Sequence, residues 1–222
     1  MAERSGKRKM SKREGQDESL RLRDEELCVA AAFLEIPCLY GVSDRFFRRG
    51  AGSLEGRVLD VCGVLEMEEW ILIEPGGTVR MQLELYRALV CMGYPNVVVR
   101  LFADGTQGRR RLYLYGREAS VYARRPDEKG GGEIRRIGSY EELISFGQFN
   151  QGEESGGLKC CGALMLARQG SLYETEADLV WRADENDAEE LTDILHTLWA
   201  VLLKDSGKEE TGDEAYHCNH IG

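Results

Sequence analysis

One short stretch, "RRRLYLYGREASVYARR" at residues 109–125, contains three tyrosines and a large share of arginines. Successive side chains of a strand point to opposite faces, so here the aromatic and cationic residues share one face and the aliphatic residues take the other. Tyrosine and arginine are enriched at protein contact sites, where they bury much area. The pattern predicts a partner-binding face made of Arg111, Tyr113, Tyr115, Tyr122 and Arg124.

Other interpretations of this stretch stay open. The tyrosines can equally form cross-strand aromatic pairs covered by arginine stems, as on many half-exposed sheets. Stacking of RNA bases on the rings is disfavoured, because the chain has a formal net charge of -10 and base stacking needs a cationic surround. If the face is an exposed contact surface, truncating Tyr113 and Tyr122 to alanine leaves stability nearly unchanged.

Potential metal ligands cluster near the C-terminal end, where "YHCNHIG" contains His217, Cys218 and His220. Zinc needs a fourth ligand and a rigid frame, and terminal polar segments are commonly disordered, so we expect neither metal nor other cofactor here. The sequence also lacks a G-x-S-x-G elbow, an H-E-x-x-H pair, a P-loop, and a G-x-G-x-x-G motif after a strand. A non-catalytic protein is therefore predicted.

Charge is unevenly distributed along the chain. Residues 1–14 carry a net charge of +4, which leaves -14 for the remainder. We expect residues 1–19 to form a disordered basic arm and residues 204–222 a polar tail.

No apolar stretch has the length of a membrane span or the position of a signal peptide, which predicts a cytoplasmic protein without membrane or nucleic-acid partners. Apolar helical patterns around four of the seven cysteines predict reduced core thiols: Cys28, Cys38, Cys62 and Cys91.

Helical spacing characterises the N-terminal part, residues 20–95. Asp24 is expected to cap a first helix that ends at Pro37, and the polar stretch "SDRFFRRGAG" follows. A hairpin with a Pro75-Gly76 turn leads to a third helix, which buries Leu85, Ala88, Leu89 and Met92 and stops at Gly93. Between the polar stretch and the hairpin, Ser53 caps a second helix with one apolar face: Leu54, Val58, Val61, Cys62 and Leu65.

The period changes to two from Asn96, which predicts an antiparallel meander over residues 96–146. Ser139 and Glu142 form a capping box for a brief helix within it. A flexible loop (147–157) precedes residues 158–183, which fit a hairpin or a buried helix. Asp187 caps a last helix with an apolar stripe of Leu191, Ile194, Leu195, Leu198 and Leu202. Together these elements predict a single α+β domain over residues 20–203: a central antiparallel β-meander flanked by N-terminal helices with a β-hairpin and by a C-terminal helical portion.

Four segments carry a likeness to a known family: "LRLRDEELCVAAAFLEIP", "LEMEEWILIEPGGTV", "ELYRALVCMGYPNVVVRL" and "RRLYLYGREASVYARR". In order and spacing they resemble the EspG-like chaperones of type VII (ESX) secretion systems, and the likeness covers most of residues 20–203. The resemblance implies a soluble bacterial chaperone or adaptor that binds the apolar tip of a helical secretion substrate. It implies no catalytic residues.

Two other classes of protein fit the same features. An immunity protein that neutralises a secreted toxin is also an acidic, compact binding domain. Two helices followed by the hairpin "WILIEPGGTVRM" have the outline of a winged-helix regulator. The second helix is a poor DNA reader, since Arg57 is its only basic residue beside Glu55 and Asp60.

Overall fold

The computed structural model describes residues 19–48, 53–105, 108–148, 159–168, 178–182, 196, 199–200 and 202–203. Within these residues helices combine with an antiparallel sheet, which confirms the predicted α+β class. The helices are α1 (Asp24–Ala32), α2 (Arg45–Arg48), α3 (Leu54–Met67), α4 (Leu83–Gly93) and α5 (Tyr140–Gly147). The strands are β1 (Leu20–Arg23), β2 (Ile71–Ile73), β3 (Val79–Met81), β4 (Val97–Gly105), β5 (Gly108–Arg117), β6 (Ser120–Pro126), β7 (Gly131–Ile137), β8 (Lys159–Arg168) and β9 (Asp178–Arg182).

The chain divides into two compact units, where the sequence predicted subdivisions of a single domain. The first unit comprises Met1–Gly93 and Asp127–Arg135, and the second comprises Tyr94–Pro126 and Arg136–Gly222. The N-terminal part was predicted to end at residue 95, which is close to the first boundary between the units, at Gly93 and Tyr94. The return of segment 127–135 to the first unit was not predicted.

Helix α1 contacts both α3 and α4 in the first unit. It begins after Arg23, whose backbone N–H donates to Glu26 Oε2 at 2.7 Å and whose Nε donates to Glu26 Oε1 at 2.7 Å. The prediction that Asp24 caps this helix is therefore wrong by one residue. Asp24 lies in the first turn, where its Oδ2 accepts a hydrogen bond from the Ser43 N–H at 3.0 Å and so ties the loop to the helix.

Two short elements of the first unit were missed by the sequence analysis. Strand β1 precedes the helices and pairs with β7, with Leu20 opposite Ile134. Its four residues alternate buried and exposed, which is too short a run for periodicity to detect. Helix α2 lies inside the polar stretch "SDRFFRRGAG", to which no element was assigned from the sequence. Helix α1 also ends at Ala32, well before Pro37, and Glu35 follows with a φ of 55°.

The remaining helices of the first unit follow the predictions closely. Ser53 caps α3, since its Oγ accepts from the Gly56 N–H at 3.1 Å. The apolar face of α3 is buried at Val61, Cys62 and Leu65, whereas Leu54 is exposed, contrary to prediction. Helix α4 buries the predicted positions Leu85, Ala88, Leu89 and Met92.

Strands β2 and β3 form the predicted hairpin, with Ile71 opposite Met81. The positive φ of its turn, 82°, belongs to Gly77 and not to the predicted Gly76. Glycine carries this conformation without the steric cost that a Cβ imposes. The turn is closed by hydrogen bonds from the Gly77 N–H to Glu74 O at 2.9 Å and from the Glu74 N–H to Thr78 O at 2.8 Å.

The large sheet has the strand order β1-β7-β6-β5-β4-β8-β9. In the second unit β4, β5 and β6 pair as antiparallel neighbours, which confirms the predicted meander. Leu114 lies opposite Val99 on β4 and Ala123 on β6, so the predicted aliphatic face exists. Residues 158–183, left open between hairpin and helix, contain the paired strands β8 and β9.

The aliphatic face of the sheet forms the core of the second unit. It packs with residues of α5 and with Trp199 and Leu202, which are helical, as predicted for the C-terminal portion. Ser139 caps α5 by accepting from the Glu142 N–H at 3.2 Å, while Glu142 Oε2 accepts from the Gly138 N–H at 2.7 Å. The reciprocal bond of the predicted capping box thus goes to the residue before the cap.

Several predictions concern residues outside the described ranges. They include the basic arm up to residue 18, residues 149–157 of the predicted loop, the Asp187 cap with Leu191, Ile194, Leu195 and Leu198, and the tail from residue 204 with His217, Cys218 and His220. Gly147, the predicted start of that loop, is instead the last residue of α5. Within the described ranges, no helix is both long enough and apolar enough to cross a membrane.

The turn between β5 and β6 is strained. Arg117 pairs with Ser120, which leaves Glu118 and Ala119 as a two-residue loop with φ angles of 47° and 62°. Such loops favour Asn-Gly, because a Cβ is unfavourable at positive φ. We expect Ala119→Gly to raise the free energy of unfolding by about 1 kcal/mol in urea denaturation. The same substitution at the buried strand residue Ala123 is the control and lowers it; a loss at both positions contradicts the prediction.

Acid sensitivity is predicted at the start of α5. The pKa of Glu141 lies below its ordinary value because its carboxylate accepts hydrogen bonds from its own backbone N–H and from the Ser139 side chain. A carboxyl group with a lowered folded-state pKa stabilises the fold above its unfolded pKa, and this contribution is lost as the pH falls through the folded-state pKa. We expect Ser139→Ala to raise the pKa of Glu141 in an NMR titration. An unchanged titration midpoint contradicts this assignment.

Candidate partner-binding surface

The five residues of the predicted binding face lie on two neighbouring strands. Arg111, Tyr113 and Tyr115 are in β5, and Tyr122 and Arg124 are in β6. The register places Tyr115 opposite Tyr122 and Tyr113 opposite Arg124, so these four share one face of the sheet. The sequence analysis therefore grouped the right residues.

The exposure that the binding hypothesis requires is contradicted for four of the five. The exposed fraction is 7% for Tyr113, 0% for Tyr115, 2% for Tyr122 and 1% for Arg124. Among the five residues, Arg111 alone is solvent-exposed. Residues Leu112–Tyr115 are all buried, although they alternate between the two faces of β5. Periodicity reveals which side chains share a face, but the covering of that face depends on residues distant in sequence.

The buried tyrosines and arginine make contacts inside the protein. The rings of Tyr113 and Tyr115 are stacked, with centroids 6.4 Å apart and planes at 16°. Tyr115, Tyr122 and Arg124 have further interactions within the chain. On β4, the guanidinium of Arg100 lies 4.9 Å from the centroid of the Phe102 ring. This face of the sheet is therefore structural in the chain as described, and Arg111 alone offers little contact area.

Exposed apolar side chains are found instead on helices of the first unit. Leu59 and Met67 of α3 are 64% and 76% exposed, and Gly63 between them is also exposed. The three lie at positions i, i+4 and i+8, which fall along one side of a helix. We refer to Leu59, Gly63 and Met67 as the α3 face. It lies away from the buried side of the helix, Val61, Cys62 and Leu65.

Both ends of α3 are held by hydrogen bonds. Ser53 caps the N-terminal end, as described above. At the other end Glu69 has a φ of 60°, its N–H donates to Glu66 O at 3.1 Å, and the Trp70 N–H donates to Leu65 O at 2.9 Å. This pair of bonds is a Schellman motif, with a glutamate where glycine is usual. The α3 face is thus presented on a helix with fixed ends.

Acidic residues surround the α3 face in sequence. The segment 54–69 contains five acidic residues and one basic residue, Arg57. Arg57 donates to Phe46 O at 2.9 Å, and its guanidinium lies 5.3 Å from the Phe46 ring centroid. Glu66 Oε1 accepts from the Ile73 N–H at 3.0 Å, which links α3 to the hairpin. The helix therefore presents apolar side chains in a negatively charged setting.

The buried side of α3 holds a thiol. Burial raises the pKa of Cys62, and the nearby carboxylate of Glu66 raises it further. A protonated buried thiol behaves as a small hydrophobe and not as a nucleophile. Cys62 therefore belongs to the packing of the helix, as predicted. Cys91 is buried as well, whereas Cys28 is only partly buried and Cys38 is exposed, contrary to the prediction of core thiols.

The apolar stripe predicted for α3 corresponds to its buried side and does not include the exposed residues of the α3 face. Leu59 and Met67 are large apolar residues that do not fit that stripe, and this misfit was the available signal. A group of three or more potential metal ligands is not found among the described residues.

Comparison of the chain with models of protein families and with curated protein sequences finds no match in either.

Burial of the tyrosines reverses the expectation for their truncation. We expect Tyr115→Ala to lower the free energy of unfolding by about 3–5 kcal/mol, the usual cost of removing a buried ring, and Tyr113→Ala with Tyr122→Ala to destabilise strongly as well. Urea denaturation measures both effects. Replacing exposed Tyr86 by alanine is the control and changes stability little. Near-wild-type stability of the Tyr115 variant contradicts the buried placement.

Proposed function

We propose that this chain is a non-catalytic protein-binding module: a cytoplasmic chaperone or adaptor that covers an apolar helical segment of a type VII secretion substrate. The substrate class rests on the resemblance to EspG-like chaperones. The observation that carries the binding role is the exposure of Leu59 and Met67 on a capped helix. The tyrosine and arginine face of the sheet is not part of the proposal, because it is buried.

Energetics favour covering the α3 face by another molecule. Full burial of a Leu or Met side chain contributes about 1.5–3 kcal/mol relative to exposure. Leu59 and Met67 are mostly exposed, so most of this contribution is unrealised in the free chain. A partner helix that covers both side chains gains it, provided that the ordering cost of association is smaller.

The proposed mechanism is binding without turnover. A secretion substrate with an apolar helical tip exposes surface that favours aggregation in the cytoplasm. Covering that tip with the α3 face replaces two exposed apolar surfaces by one contact. The acidic body of the chain, at -14 without residues 1–14, keeps the complex soluble.

The DNA-reader alternative has less support from the contacts of α3. A recognition helix needs basic side chains directed at phosphates and base edges. Arg57 is engaged with the Phe46 carbonyl and ring, and the other charged residues of α3 are acidic. Negative charge on this helix opposes approach to DNA.

Identification of the partner separates a chaperone from an immunity protein. Affinity purification of the full chain from its native cell, followed by mass spectrometry, reports what the chain binds. A small helical secretion substrate supports the chaperone. A toxin domain that is released in active form when the complex is dissociated supports the immunity protein and rejects the chaperone.

The double variant Leu59→Gln with Met67→Gln tests the surface. Glutamine has nearly the helix propensity of leucine and methionine, so stability changes little. We expect the affinity for the purified partner to fall at least tenfold, as for central interface residues, in isothermal titration calorimetry. Leu83→Gln is the matched control, since Leu83 is exposed on α4. Equal affinities of the wild type and the double variant reject the α3 face as the contact.

A further inference from the structure

Gly63 occupies the interior of α3 without a packing reason inside the described chain. Glycine destabilises a helix interior relative to alanine. A Cβ built at Gly63 meets nothing within 4 Å, and its φ lies outside the positive range that excludes other residues. A Cβ at Gly63 is therefore sterically free with respect to the residues that the structure describes.

Two other helical glycines, Gly56 and Gly93, have local reasons that Gly63 lacks. A Cβ at Gly56 comes within 3.2 Å of the Ser53 Oγ that caps α3. A Cβ at Gly93, the last residue of α4, collides with the Ile36 side chain. Gly63 has no such contact among the described residues, so their packing gives no reason for a glycine at this position.

The neighbours of Gly63 give the site a shape. Leu59 lies one turn before it and Met67 one turn after it, about 6 Å away along the helix axis in each direction. Side chains at i±4 form a ridge on a helix, and packing inserts the residues of one helix into the gaps of another. An absent side chain between two large exposed ones makes a notch that fits one large apolar residue.

The acidic residues near the α3 face indicate the charge of the partner residues that lie beside the apolar contact. Glu55, Asp60 and Glu66 lie on α3 itself, and Glu68 and Glu69 follow it. Acidic side chains around an apolar contact repel an acidic partner and favour a basic one. The cation within the segment, Arg57, is bound to Phe46.

We propose that the α3 face docks a helical segment of the partner that places one large apolar side chain in the notch at Gly63 and carries Lys or Arg residues on either side of it. This inference rests on the proposed function and adds the chemistry of the partner segment. It assigns Gly63 a specificity role, in which glycine is retained at a cost in helix stability.

The test uses stapled, alanine-based helical peptides of about 15 residues, long enough to present a helical face. The first probe carries a central Leu flanked by Lys residues. Two matched probes replace the Lys residues by Glu or the central Leu by Ala. Affinities for the full chain are measured by fluorescence anisotropy at two salt concentrations. We expect the Lys probe to bind at least tenfold more tightly than either matched probe, and more weakly at high salt.

Variants at Gly63 separate a binding role from a structural one. Gly63→Ala and Gly63→Leu are expected to raise the melting temperature, because both residues favour a helix over glycine. Gly63→Leu fills the notch and is expected to weaken binding of the Lys probe at least tenfold. Gly76→Leu is the control, since a Cβ at Gly76 in the β2–β3 turn also meets nothing within 4 Å; its affinity for the probe stays at the wild-type value.

Three outcomes would overturn the proposed docking of a basic helical segment at Gly63. It fails if the Lys probe does not bind at millimolar concentration, if the Glu probe binds equally well, or if Gly63→Leu retains the wild-type affinity. Failure here leaves the broader function standing if the Leu59→Gln and Met67→Gln variant still loses its natural partner. If the substitutions weaken neither probe binding nor binding of the natural partner, the α3 face is rejected as a contact surface.

Discussion

Burial of both faces of the central sheet strands is the constraint on which the rest of the structure depends. Leu112 and Leu114 lie in the core with α5, while Tyr113 and Tyr115 on the opposite face are buried as well. Where a strand is covered on both sides, packing fixes the side chains of both faces, as it does at Leu112–Tyr115. The buried part of β5 and β6 is therefore a scaffold, and the exposed apolar side chains of the α3 face lie on another element.

The same constraint explains why the sequence predicted the sheet but misjudged its use. Alternation along residues 109–125 correctly grouped the tyrosines opposite the leucines, because strand geometry alone sets that grouping. Tyrosine and arginine occur both on solvent-exposed surfaces and in interiors where their polar groups are hydrogen-bonded. The choice between them depends on coverage by distant parts of the chain, which no local pattern encodes.

Local physics accounts for the predictions that were most accurate. Ser53 and Ser139 cap helices as expected, since a hydroxyl that accepts from a backbone N–H two or three residues ahead needs no tertiary information. Asp24 failed as a cap because Arg23 and Glu26 already satisfy the first turn. The α3 face was missed because periodicity highlights residues that agree with a stripe. Leu59, Gly63 and Met67 gain meaning only once the helix and its exposure are known.

Cys62 lies on the buried side of α3, opposite the α3 face, and its thiol can report on the packing of this helix. Its thiol is buried and its pKa is raised, so it is shielded from alkylating reagents as long as α3 stays packed, whereas exposed Cys38 is open to them. Alkylation of Cys62 therefore requires α3 to open, and its rate follows the free energy of that local opening. A ligand that clamps α3 slows the reaction in proportion to its occupancy. The alkylation rate of Cys62 therefore measures binding at the α3 face, on the opposite side of the helix.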